Sequence, residues 1–180
     1  AAAQSMAYSI GAKGRSFAVA ARNAEDGISV AQTIESALIE IASLATRLRE
    51  VAIQADNVNL QDSDADVAAL NAEAAALGTA IDQIVTKATF NGVVILSKAD
   101  LTRDIGVTDD GGTVTLNLKK VSVATRTAAA TADGSADTTL QEVAIALGNV
   151  AAGIAALKGR QAVAYSASAN LAAAASRIED

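Results

Sequence analysis

From Ala31 onward, Ala31, Ile34, Leu38, Ile41, Ala45, Leu48, Ala52 and Ala55 recur at alternating spacings of three and four. That alternation keeps one side of an α-helix turned toward a partner, so it predicts a coiled-coil seam. Val30, Ala37, Leu44, Val51 and Val58 form a seven-residue series beside it. Thr33, Ser36, Glu40, Ser43, Arg47, Glu50 and Gln54 fall on the opposite side. The pattern is that of an amphipathic helix with one broad buried face. The alanine-rich, proline-free segment before it is expected to continue the helix. Gly27 marks a candidate bend, since glycine costs about 1 kcal/mol relative to alanine in a helix interior.

A second helix is expected where Val67, Leu70, Ala74, Leu77, Ile81, Ile84 and Ala88 repeat the alternation, with Asp62, Ser63 and Asp64 offering N-cap oxygens just ahead of it. Asn91-Gly92 ends it, because both residues tolerate positive φ and favour a tight turn. Val93–Leu96, Ile105–Thr108 and Val114–Leu118 read as short strands, with Asp109-Asp110-Gly111-Gly112 as the turn between the last two. Residues 121–136, rich in Thr, Ala, Ser and Asp, have no period and read as a linker. From 137 to the end, Leu140, Val143, Leu147, Val150, Ile154, Leu157, Gln161, Ala164, Ser168, Leu171, Ala175 and Ile178 carry a third seam. At about 1.5 Å per residue that helix is roughly 60 Å long, which predicts an extended rod. The expected fold is mainly α, an elongated antiparallel coiled-coil helical bundle with a small β-hairpin element. Leu38, Ile41, Leu48, Leu147, Val150 and Ile154 are its core-packing residues.

Composition narrows the chemistry. Histidine, cysteine, tryptophan and proline are absent, and aromatics make up 2% of the 180 residues. Without imidazole or thiol the protein lacks the usual general base, the common zinc ligands and the Ser-His-Asp arrangement. No enzyme, cofactor or metal is expected. The formal charge of −6 disfavours unspecific binding to nucleic acid or to an anionic membrane. No uninterrupted apolar run approaches the ~20 residues of a bilayer span, so no membrane partner is expected.

Two acidic groupings invite a chemical reading and lose it on inspection. Asp62, Asp64, Asp66 and Glu73 match four positions of an EF-hand loop, but the sixth position is Val67 where the sharp turn needs glycine. Acids at a helix N-terminus favoured by its dipole are the better account. Asp109 and Asp110 are turn residues beside two glycines rather than an acid–base pair. Gln161 and Ser168, polar interruptions of the third seam, read as register-setting positions. Ile39 and Ile53, two heptads apart on the polar side of the first helix, are candidates for contact between subunits.

Arg22-Asn23-Ala24-Glu25-Asp26-Gly27-Ile28-Ser29-Val30-Ala31-Gln32-Thr33 resembles the N-terminal signature of bacterial flagellins. Arg47-Leu48-Arg49-Glu50-Val51-Ala52-Ile53-Gln54 is similar to the segment that follows it in that family. Thr89-Phe90-Asn91-Gly92-Val93 resembles the family's approach to its small β region, and Ser176-Arg177-Ile178-Glu179-Asp180 the end of its C-terminal core helix. The resemblance implies a core rod domain without the terminal inner-tube segments and without large outer domains. Residues 1–120 would be the N-terminal half, 121–136 the point where outer domains are inserted, and 137–180 the C-terminal core helix. The implied protein is a secreted, extracellular subunit of the flagellar filament that assembles with copies of itself for motility. Its implied partners are flagellar cap, junction and export-chaperone proteins. A hook–filament junction protein of the same family, or a surface binding module or adhesin, are the alternatives. In the family, an arginine with neighbouring Leu, Gln and Glu residues is recognised by Toll-like receptor 5. The matching positions are Arg47, with Ala45, Thr46, Glu50, Val51 and Gln54 around it. Ala45, Thr46 and Val51 depart from the family's residues, which implies weak receptor binding.

Overall fold

In a computed structural model that describes residues 2–57, 64–122 and 129–179, helices account for most of the protein. The elements are α1 (Ala2–Ala55), α2 (Asp64–Lys87), β1 (Thr89–Phe90), β2 (Val93–Val94), β3 (Leu101–Gly106), β4 (Thr113–Leu118), a short 3-10 helix at Ala129–Thr131, and α3 (Asp133–Glu179). The expected Val58 flank and the Asp62 and Ser63 caps lie outside the described residues, as do 123–128 of the expected linker. Gly27 does not interrupt α1. The protein divides into two compact units, one of residues Ala1–Gln32, Thr102–Leu116 and Ala151–Asp180, the other of Thr33–Leu101 and Asn117–Val150.

In the first unit α1 and α3 run antiparallel. Gly14 meets Leu171, Ala20 and Ala21 pack with Ala164 and Phe17, and Gly27 meets Leu157, so rising numbers on α1 face falling numbers on α3. Ala7, Gly14, Ala21, Ala24 and Ile28 are buried at spacings that continue the seam of Ala31 backward. Small side chains at these positions let the two backbones approach closely. A β-carbon added at Gly14 would already lie 3.4 Å from the Leu171 side chain. The β3–β4 pair rests on the same helices. Leu116 occupies the space a side chain at Gly153 would fill, and Ile105 sits against Gly27. Val107 N–H donates to Gly112 O at 2.9 Å to close the turn, and Gly111 adopts φ 92°.

In the second unit the remainder of α1 packs against α2 and the start of α3. Leu48, Val51, Ala52, Ala55, Leu70, Ala74, Ala129, Ala132 and Ala136 form one buried cluster, flanked by Leu77. All eight residues of the α1 seam, Ala31 through Ala55, are buried, and the polar series from Thr33 to Gln54 is exposed. β1 and β2 pair antiparallel across Asn91-Gly92, with Phe90 opposite Val93. Asn91 and Gly92 take φ 50° and 76°, the left-handed region that a two-residue hairpin turn demands.

Several sequence expectations are corrected. The strand expected at Ile105–Thr108 is instead Leu101–Gly106, and Thr89–Phe90 is a strand that the pattern did not show. The helix α3 begins at Asp133, within the stretch read as linker. There Ala129, Ala132 and Ala136 are core residues, and Ala129 N–H donates to the Asn71 side-chain oxygen at 2.8 Å. On α3 the buried positions include Ala136, Thr139, Val143, Ala146, Val150, Gly153, Leu157 and Ala164, whereas Leu147 and Ile154 are half-buried at the flank. Helices approach most closely over small residues, so the larger aliphatics are displaced to the edge of the contact. In α2, likewise, Gly78 and Val85 are buried and Val67 is exposed.

Candidate interaction surface

The outward face of α1 in the second unit carries Ile39, Thr46, Arg47, Glu50, Ile53 and Gln54, all exposed, of the residues that the sequence marked for recognition or contact. Because 100° separates successive helical residues, Arg47, Glu50 and Gln54 share one side, with Ile39 and Ile53 near it. Ile39 is 56% and Ile53 54% exposed, high values for residues of this size in a protein with a well-filled core. Thr46 is exposed, and its hydroxyl donates to Ala42 O at 2.8 Å. Ala45 and Val51 are fully buried. They belong to the seam beneath the surface, which removes them from any contact that Arg47 makes with a partner.

Arg47 is engaged within its own protein. Its Nε donates to Glu73 Oε1 at 2.9 Å and its Nη1 to Glu50 Oε2 at 3.1 Å. The hydrogen bond with Glu73, then that with Glu50, raises the guanidinium's pKa above its ordinary value. Two residues on, and turned about 200° around the helix, Arg49 Nε meets Asp137 Oδ1 at 2.8 Å. Neighbouring arginines of α1 thus reach α2 and α3 respectively. Sequence reasoning missed Glu73 as a partner, because the two residues are 26 apart and only the pairing of α1 with α2 brings them together.

The described residues contain no group of three or more acidic, His or Cys side chains able to hold a metal. Glu73, on α2, is ion-paired with Arg47 Nη2 at 2.7 Å. Asp110 accepts from the Thr108 hydroxyl, which holds its pKa below the ordinary carboxylate value, and serves the turn as expected. Two shallow grooves are present, one between α1 and α2 around Ala37 and Ile84, the other beside Gly27 and Ile105. By length and composition alone, α1 and α3 each contain a stretch apolar enough to cross a membrane, although no uninterrupted run does so. Only 28% of each such stretch is buried.

α1 and α3 are long, alanine-rich helices whose apolar stretches are only partly buried. Residues 1–100 match the family described as the bacterial flagellin N-terminal helical region. Phase 1 flagellin of Salmonella naestved and flagellin of Salmonella dublin are each 39% identical to this protein over 104 residues, which is 58% of this chain and 20% of either relative. The match therefore spans about a fifth of those proteins' length. The crystal structure of Bacillus cereus flagellin shares the fold, with a TM-score of 0.53 at 24% identity, over 83% of this chain and 88% of that one. The chain belongs to the bacterial flagellin family, a family of structural proteins rather than enzymes.

Proposed function

We propose that this protein is a subunit of the bacterial flagellar filament, exported and assembled with copies of itself outside the cell for motility. The family match over residues 1–100 carries the reading. The partial burial of the apolar stretches of α1 and α3 supports it, because a subunit that finishes its core only in a polymer leaves such faces open. Ile39 and Ile53 are the residues assigned to contact between copies. Cap, junction and export-chaperone proteins follow as partners from the resemblance.

Receptor binding by the Arg47 face is weak in this reading, for a reason that differs from the one the sequence suggests. Ala45 and Val51 are buried and cannot trim a contact surface. The guanidinium, however, is already held by Glu73 and Glu50, which neutralise its charge and fix its direction, and Thr46 offers no amide. Electron microscopy of the gene's complete product tests the main proposal. Filaments are expected, and Ile39→Glu with Ile53→Glu should shorten or abolish them while leaving the helical circular dichroism spectrum unchanged. Normal filaments from the double variant would remove these residues from the interface.

A further inference from the structure

Asn91-Gly92 forms the turn of the β1–β2 hairpin, and the structure gives it a chemical property that the fold does not use. Both residues are exposed, and a β-carbon added at Gly92 would meet nothing within 4 Å. Among the described residues, neither the Asn91 side-chain amide nor the Gly92 N–H has a hydrogen-bond partner. An electrophilic amide carbon and a backbone nitrogen nucleophile therefore stand side by side with no bond to restrain either, next to a residue whose lack of a side chain removes steric hindrance to ring closure.

We propose that Asn91 is a site of spontaneous deamidation, with water as the only co-reactant. The Gly92 nitrogen attacks Asn91 Cγ, so that a bond forms between them, and the bond from Cγ to the amide nitrogen Nδ2 breaks. Ammonia leaves with the proton that Gly92 loses, and a five-membered succinimide remains. Water then opens the ring at one of its two carbonyls. Opening at Cγ restores the backbone and leaves aspartate. Opening at the backbone carbonyl leaves isoaspartate, with the polypeptide running through Cγ. No oxidation or reduction takes place. Each product puts a negative charge at the tip of the hairpin, beside exposed Val93 and Val94. Isoaspartate also adds a backbone carbon to a two-residue turn, so the Phe90–Val93 pairing cannot persist in its present register.

The reaction needs the turn to open, and the hairpin is built to allow that. β1 and β2 are two residues long, so few ladder bonds resist it. The remaining asparagines of the protein supply internal controls. Asn91 is the only one of the eight followed by glycine.

Peptide mass spectrometry of the intact folded protein, held in mildly alkaline buffer and sampled over weeks, tests the assignment. The expected result is a mass gain of about one dalton concentrated at Asn91, faster as pH rises, because the attacking nitrogen must shed its proton. The other asparagines should convert more slowly by an order of magnitude or more. Conversion spread evenly over all asparagines would overturn the proposal. So would an Asn91 that stays intact in the folded protein while a free peptide of residues 88–95 converts, since the fold would then be protecting the turn.

Discussion

Leu38 and Ile39 are adjacent in sequence and opposite in circumstance, one fully buried and the other more than half exposed. Helix geometry alone separates them by 100°, and the energetic difference follows from that turn. Leu38→Ala should cost about 2–5 kcal/mol, the range for a truncated buried leucine. Ile39→Ala should stay within about 0.5 kcal/mol, as for surface positions generally. Urea denaturation of the two variants checks the assignment, and equal shifts would contradict it. Leu147→Ala, at a half-buried site, should fall between the two. A sharper contrast lies on α3. Gly159 faces open space, so Gly159→Ala should stabilise by up to about 1 kcal/mol through helix propensity. Gly153→Ala should destabilise by about 1–3 kcal/mol, because Leu116 already fills the room for a β-carbon. Thermal melts of opposite sign are expected, and a stabilised Gly153→Ala would show that Leu116 is not held there.

At the scale of elements, what the sequence revealed depended on side-chain size. The α1 seam was legible because Ile34, Leu38, Ile41 and Leu48 stand out against a polar opposite face. Its extension through Ala7, Gly14 and Ala21 was not, since alanine and glycine carry no hydropathy signal that marks them as contact positions. The same blindness set the α3 seam on Leu147 and Ile154 instead of Ala146 and Gly153. Asp133-Gly134-Ser135-Ala136 looked like linker because its core residues are alanines that acquire meaning only beside Leu70 and Ala74. The Asn91-Gly92 turn was readable because its backbone demand is local. Arg47's bond to Glu73 was not, being a product of helix pairing. The segment joining the strands to α3 is fastened by charge. Asp100 accepts from Lys119 Nζ at 2.6 Å and from Lys120 N–H at 2.8 Å, and these bonds lower its pKa, the one to the Lys119 side chain most. A carboxylate whose folded pKa is depressed contributes stability that is complete above its unfolded value, about 4, and is lost as pH falls through the folded value. Denaturation midpoints should therefore drop below that pH, and Asp100→Asn should flatten the drop. An unchanged acid limb in the variant would assign the pH dependence to other groups.

For the whole molecule, the proposed self-association rests on the family match over residues 1–100 and on the partly covered apolar stretches of α1 and α3. Small side chains line the α1–α3 contact of the first unit, and larger aliphatics such as Ile34, Leu38, Ile41 and Leu48 fill the core of the second. Ile39 and Ile53, each more than half exposed, are the residues proposed for contact between copies. The most direct measurement is electron microscopy of the complete product of the gene, purified and allowed to polymerise. The account predicts long filaments that Ile39→Glu with Ile53→Glu disrupts without loss of helix. A product that folds with the same helical content and stays dispersed at every concentration and salt condition tried would contradict it.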